Sequence, residues 1–215
     1  MALFYPSRSV FLPFLILILS TRITSGIDQK SMPTENAAPA YHAMASTPSP
    51  ELDGHSLVKG LVEALLGYGG YNEITDLLVN LTSVADEIGR LAMEEARPHY
   101  GLTLLAPNDE ALSALGPQQL EDPNFPERLL YYHLIAGFLT EESMYVHARR
   151  HGKVKYETLL VPLMVHVEEA DGTVKVVEGG GSWGHLVDAD IYADGRVSVQ
   201  GIDGVLFPPD ANGLS

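Results

Sequence analysis

The 215-residue sequence has no cysteine and is poor in cations, with 13 Lys and Arg against 28 Asp and Glu and a formal charge of −15. The first absence excludes a disulfide framework, so the fold must rest on an apolar core. A domain of about 150 residues can build one, burying roughly 68–70% of its unfolded surface. The second absence excludes nucleic acid as a partner, because an acidic chain repels phosphates.

Long hydrophobic runs are missing as well. Positions 10–19 read VFLPFLILIL, which is short of the about 20 apolar residues a membrane span needs. Arg8 precedes this run and the polar STRITSG follows it. Residues 1–26 therefore read as a secretory signal peptide cleaved near Gly26. Its removal takes away Arg8 and Arg22 and no acid, moving the charge from −15 to −17. At the other end, residues 209–215 form a short polar tail with no apolar stretch to direct a lipid anchor. The sequence as written predicts a secreted, soluble chain without a stable membrane anchor.

Residues 27–56 carry Pro33, Pro39, Pro48 and Pro50 among Ala, Ser and Thr. So few large apolar side chains cannot offset the entropy of ordering, and the stretch reads as a disordered linker. One domain then spans 57–208. Leu57, Leu61 and Leu65 recur at helical spacing, with Ser56 as cap and Gly67 as stop. A second helix is expected from Asn72, with Ile74, Leu78, Leu81, Ala85, Ile88 and Leu91 on one face. Residues 102–106 read as a buried strand, and 124–135 and 140–150 as further helices.

Beyond these, 158–167, 173–177, 186–192 and 196–202 are rich in Val and Ile and read as strands. Asp171-Gly172 and Asp194-Gly195 are two-residue hairpin signals. Helices followed by antiparallel strands predict an α+β fold. No internal repeat is present.

Residues 178–185, EGGGSWGH, match two catalytic signatures at once. Gly180, Ser182 and Gly184 spell a nucleophile elbow, and Gly179, Gly181 and Gly184 a dinucleotide turn. Both need a helix after the glycines, and the sequence continues there as strand. No histidine follows His185 to complete a Ser…Asp…His order. The stretch reads as a glycine-rich hairpin loop, with no catalytic residue and no cofactor.

Metal signals fail similarly. His147 and His151 are four apart, but Ala148 stands where a zincin needs glutamate. An EF-hand from Asp188 would place Ala193 at the obligatory glycine. Alternate aspartates there are expected to face water. Asn80-Leu81-Thr82 is the single N-glycosylation sequon, beside the apolar face of the second helix. Arg149, Arg150, Lys153 and Lys155 form the one basic cluster. It has two readings: cations favoured at a helix C-terminus, or a contact for acidic polysaccharide.

Residues 103–111 (TLLAPNDEA), the dipeptide Tyr132-His133 and residues 197–208 (VSVQGIDGVLFP) together resemble the fasciclin-type adhesion domain. The match carries Thr103, Pro107, Asp109, Tyr132, His133, Ile202, Asp203, Leu206 and Pro208 as signature residues. With the leader and the proline-bearing segment, the sequence resembles the plant fasciclin-like arabinogalactan proteins. That resemblance implies helices packed on a mainly antiparallel sheet wedge, and a non-enzymatic role in cell adhesion and cell-wall organisation. It implies cell-wall polysaccharide or other extracellular glycoproteins as partners. It also marks Pro39, Pro48 and Pro50 as positions for hydroxylation and arabinogalactan attachment. Read from the residues alone, His133 is expected to be buried and hydrogen-bonded, and Asp109 to stabilise a helix N-terminus.

Overall fold

A computed structural model describes residues 54–95, 100–116, 119 and 121–209. The expected signal peptide, its cleavage position, Pro39, Pro48, Pro50 and the tail from residue 210 lie outside them.

Helix α1 (Gly54–Tyr68) buries Leu57, Leu61 and Leu65, spaced to form one apolar stripe. It starts three residues inside the stretch read as linker, so Ser56 lies within the helix. It also runs past Gly67 to Tyr68, and the Gly69 N–H closes the last turn on Leu65 C=O at 3.1 Å.

The expected second helix is two helices, α2 (Asn72–Asn80) and α3 (Thr82–Ala92). Asn72 is the first helical residue, and Tyr71 occupies the cap position. The break falls at Leu81, with φ −95° and ψ 71°. Asn80, Thr82 and Ser83 are weak helix formers that compete for backbone hydrogen bonds. The break also resets the helical phase. Leu78 is buried, but the next buried residue is Val84, not Ala85 seven positions on. Both pieces thereby face the same core.

Strand β1 (Leu102–Pro107) leads into α4 (Asp109–Ser113). Helix α5 (Phe125–His133) stops two residues before the expected end, and Leu134–Ala136 forms the short strand β2. After α6 (Glu141–His151) come β3 (Val154–Glu157) and β4 (Met164–Ala170). Residues 158–163, expected as strand, form a turn instead, with a cis Val161–Pro162 bond. Thr158 Oγ1 donates to Leu163 C=O at 2.9 Å there. The last strands are β5 (Thr173–Val177), β6 (Trp183–Ala193) and β7 (Val197–Ile202).

The seven strands form one sheet in the order β2-β1-β7-β6-β5-β4-β3. All pairs are antiparallel except β1 with β7, which is parallel from Leu102↔Val197 to Pro107↔Ile202. An isolated bridge, Ile135↔Thr158, brings the two ends of the sheet together and nearly closes it. Asp171 (φ 53°) and Gly172 (φ 83°) make the tight β4–β5 turn, where positive φ at both positions favours glycine. The β6–β7 connection has three residues rather than two, because Arg196 joins Asp194 and Gly195. Asp194 Oδ1 accepts the N–H groups of Arg196 and Val197, each at 2.8 Å.

Two apolar clusters flank this sheet. The larger joins α1–α5 to Leu102, Leu104, Ala106, Val197 and Val199. The smaller packs Met144 and Ala148 of α6 on Val165, Val167, Val174 and Val176. Strands β1 and β7 are therefore buried on both faces, while β4 and β5 alternate between buried and partly exposed residues. Among the described residues, the face of β3–β5 and of the start of β6 that points away from α6 is left open.

Candidate functional site

The first and third sequence blocks, about 95 residues apart, lie side by side as β1 and β7. Thr103 joins them. Its Oγ1 donates to Gly137 C=O at 2.7 Å and accepts the Leu139 N–H at 2.8 Å. Ser198 Oγ lies 3.0 Å from Thr103 Oγ1 and donates to Leu139 C=O at 2.6 Å. Pro107 ends β1, beside which the Asn108 N–H donates to Ile202 C=O at 3.0 Å.

Asp109 acts on a helix other than its own. Its Oδ1 accepts the Glu73 N–H at 2.9 Å and its Oδ2 the Asn72 amide at 2.8 Å. It thus supplies the N-terminus of α2 with the acceptor that Tyr71 cannot offer. The cap of α4 itself is Asn108, which accepts the Ala111 N–H at 2.8 Å.

The Tyr132-His133 dipeptide is interior. The Tyr132 hydroxyl donates to Met164 C=O at 3.3 Å, and burial raises its pKa. His133 is 0% exposed. Its Nδ1 donates to Leu129 C=O at 2.8 Å, and its Nε2 accepts the Leu206 N–H at 3.1 Å. These partners fix the neutral Nδ1–H tautomer, and burial lowers the pKa to about 4. Asp203 accepts the His185 N–H at 2.6 Å. Leu206 and Pro208 are buried in the segment that follows.

Residues 178–182 of the EGGGSWGH stretch form the β5–β6 connection, and its last three residues open β6, which continues as strand to Ala193. Ser182 Oγ donates to Glu178 Oε2 at 3.0 Å and accepts the Phe207 N–H at 2.9 Å. Glu178 also accepts the N–H groups of Gly180 and Ser182. A would-be nucleophile therefore anchors the C-terminal segment. Neither this clamp nor the β1–β7 pairing was visible from the sequence pattern.

The aspartates of β6 do not simply face water. Asp188 accepts the hydroxyls of both Tyr68 and Tyr71. Asp190 accepts the Gln200 amide at 2.6 Å, and its φ of 48° sits where the β6–β7 register shifts. Among the described residues, no three His, Asp or Glu side chains are grouped to hold a metal ion.

These interlocked blocks match a fasciclin-domain family model over residues 72–208. The chain belongs to the fasciclin domain family. Its relatives include fasciclin-like arabinogalactan protein 15 of Arabidopsis thaliana, 51% identical over 178 residues, or 83% of this chain and 40% of that protein. Another is fasciclin-like arabinogalactan protein 17 of the same plant, 56% identical over 158 residues, or 74% of this chain and 33% of that one. The chain thus spans about two fifths or less of the length of these curated relatives. Among solved structures, the FAS1 domain pair of the insect cell adhesion molecule fasciclin I matches with a TM-score of 0.50 at 21% identity. That match covers 65% of this chain and 46% of the other, and shows a shared fold.

The basic cluster of this fasciclin domain is split by the α6–β3 junction. Arg149, Arg150 and His151 form the last turn of α6, opposite Glu141 and Glu142 in its first, as the macrodipole favours. Lys153 and Lys155 are exposed at the edge strand beyond. Arg149 stacks on Tyr145, its guanidinium carbon 5.7 Å from the ring centroid. His147 Nδ1 lies 3.1 Å from the Tyr156 hydroxyl. Beside the cluster runs a groove of about 710 Å³, lined among others by Tyr100, Phe138, Tyr156, His147 and Lys155. Aromatic faces with one or two placed charges are the usual lining of ligand sites.

The sequon ends α2. Asn80 is exposed and immediately precedes the break at Leu81, so the expectation that it sits within a continuous helix is corrected. Among the described residues, no helix is long and apolar enough to cross a membrane.

Proposed function

We propose that this fasciclin domain belongs to a secreted, non-enzymatic glycoprotein acting in cell adhesion and in organisation of the cell wall or extracellular matrix. One observation carries the non-enzymatic part. The signature side chains Thr103, Asp109, Tyr132 and His133, together with Ser182, are spent on hydrogen bonds within the fold. Ser182 borders a surface hollow beside Trp183, but its hydroxyl is already engaged by Glu178 and the Phe207 N–H. The relatives named fasciclin-like arabinogalactan proteins support the wall and glycoprotein part. Glycan is placed on Asn80 and on hydroxylated Pro39, Pro48 and Pro50.

Expression of the tagged full chain in plant cells tests this reading. Medium and wall fractions should contain a protein lacking the leader, with mass that falls on enzymatic deglycosylation. Beads coated with it should adhere to isolated walls. Cytosolic retention, or an unmodified Asn80 peptide, would overturn the corresponding part.

A second reading is favoured by the basic edge. Exposed Arg149, Arg150, Lys153 and Lys155 beside an aromatic groove suit an acidic wall polysaccharide. The attraction acts locally, within a Debye length of about 8 Å, because the chain as a whole repels a polyanion. Replacing all four with glutamine should abolish retention on immobilised polyuronate and leave the fold intact, since each helix-end charge contributes only about 0.3–1 kcal/mol.

A further inference from the structure

The open face of β3–β5 and the start of β6 presents a row of directly paired residues: Lys155 on β3, His166 on β4, Val177 on β5 and Trp183 on β6. A second row beside it is Glu168, Lys175 and His185. Cross-strand partners share one face of a sheet, and Val165, Val167, Val174 and Val176 take the opposite face beneath α6. Trp183 is the chain's one tryptophan and is 48% exposed. Lys175 Nζ lies 4.6 Å from its ring centroid, and the His185 ring meets it edge-on at 4.9 Å. Beside it opens a hollow of about 330 Å³ lined by Ala111, Ala114, Trp183, Asp203 and Phe207 among others.

The lysine and the histidine hold Trp183 in place while about half of it stays exposed. The exposed indole sits beside Val177, Val187 and Met164 but also among Lys155, Glu157, Glu168 and Lys175, a charged mixture unlike the charge-depleted core of a protein interface. It suits a sugar ring, apolar on its C–H face and polar at its rim, set against the electron-rich indole. The charges then choose among sugars. Lys155 and Lys175 share this face, with exposed Lys153 just before β3, while Arg149 and Arg150 end α6, which packs on the opposite face. Against them stand Glu157 and Glu168, while Asp203 is engaged by His185, with Nδ1 at 3.5 Å.

We propose that this face is a binding platform for an acidic polysaccharide, with Trp183 stacking on one sugar ring and Lys175 and Lys155 taking carboxylates of that ring and of one further along. Strand spacing sets Lys155 about 14 Å from Trp183, three strands away, so the platform spans several sugar residues. The inference rests on the polysaccharide reading of the basic edge but assigns the stacking contact to residues outside that cluster.

The lone tryptophan makes the test direct. Oligogalacturonate of defined length, and its methyl ester as the uncharged counterpart, are titrated against the full secreted chain while Trp183 emission and heat are recorded. The acidic oligomer should shift the emission, and the ester should bind at least about tenfold more weakly. Trp183→Ala should weaken binding by about tenfold or more at unchanged melting temperature, Trp183→Phe should weaken it less, and Lys175→Gln several-fold. Equal binding by Trp183→Ala and wild type, or binding by wild type with no change in emission, overturns the platform. If the Arg149, Arg150, Lys153 and Lys155 glutamine variant loses binding while Trp183→Ala keeps it, the basic edge stands and the platform falls. The reverse pattern leaves the platform standing and removes the edge reading. Absence of binding by wild type to the acidic oligomer overturns both.

Discussion

His133 Nε2 holds the Leu206 N–H at 3.1 Å across 73 residues of sequence. That single ring ties α5 to the segment that closes the domain, and it does so only as the neutral imidazole. A proton on Nε2 would remove the acceptor and leave a charge in an apolar interior.

Stability should therefore depend on pH through this residue. In the unfolded chain the imidazole titrates near 6.5, and in the fold burial lowers it to about 4. Between those values the unfolded state binds the extra proton, so stability is complete above the unfolded value and falls as pH drops toward the folded one. The full effect is on the order of 3 kcal/mol. Urea midpoints of wild type and His133→Gln at pH 7 and pH 4 measure it. The variant should be less stable at pH 7 and lose less on acidification. Equal acid losses would show that His133 does not set the slope.

Ser182→Ala should leave hydrolysis of a generic ester unchanged from the wild-type background, because the hydroxyl is committed to Glu178 and Phe207. It should instead cost about 1–3 kcal/mol of stability by orphaning the Phe207 N–H and removing one of the donors to Glu178. An esterase assay and a denaturant melt on the same preparation separate the two. A reproducible activity lost in the variant would contradict this account.

Asp109→Ala should destabilise by about 0.5–2 kcal/mol, the range for a lost helix cap. Amide exchange localises the effect. Protection should fall at the start of α2, around Glu73, more than within α4. Loss confined to α4 would mean that Asp109 serves its own helix.

Legibility in the sequence followed the range of each interaction. The α+β order, the Asp171-Gly172 turn and the strand after EGGGSWGH are local patterns, and all three are present in the fold. The parallel pairing of β1 with β7 joins residues 95 apart and leaves no periodicity to read. Strand β2 has three residues, too few for an alternation. Strand β3, with its sequence VKYE, has no fully buried residue, only the half-buried Val154 and Tyr156 between exposed Lys155 and Glu157. Asp109 was legible as an acid at a helix N-terminus, but it sits in the first turn of α4 while the N–H it accepts is 36 residues away, in α2. The open face with Trp183 was within reach in principle: once the β4–β5 turn sets the register, His166, Glu168, Lys175 and Val177 fall on one side by alternation.

Gly201 records a further long-range fit. Tyr71 reaches across it to place its hydroxyl on Asp188, the cross-strand partner of Gly201. A Cβ at Gly201 would collide with that hydroxyl and come within 2.8 Å of Asp188 Cβ and Tyr71 Cζ. The residue is glycine for space, because its backbone is not in the left-handed region. Burial and the Asp188 hydrogen bond both raise the Tyr71 pKa, so the phenol stays protonated and donating throughout the physiological range. Gly201→Ala should then cost about 1–3 kcal/mol as an overpacked core does. Tyr71→Phe removes the hydroxyl and its hydrogen bond, costing about 0.5–1.5 kcal/mol or more with a charged acceptor. The two changes share one volume, so their effects should not add. The double variant should be more stable than the sum predicts, by a coupling within the about 0.5–3 kcal/mol seen for residues in contact. Denaturant melts of the four proteins close the cycle. Strict additivity would mean that the Tyr71 hydroxyl is not what forbids a side chain at Gly201.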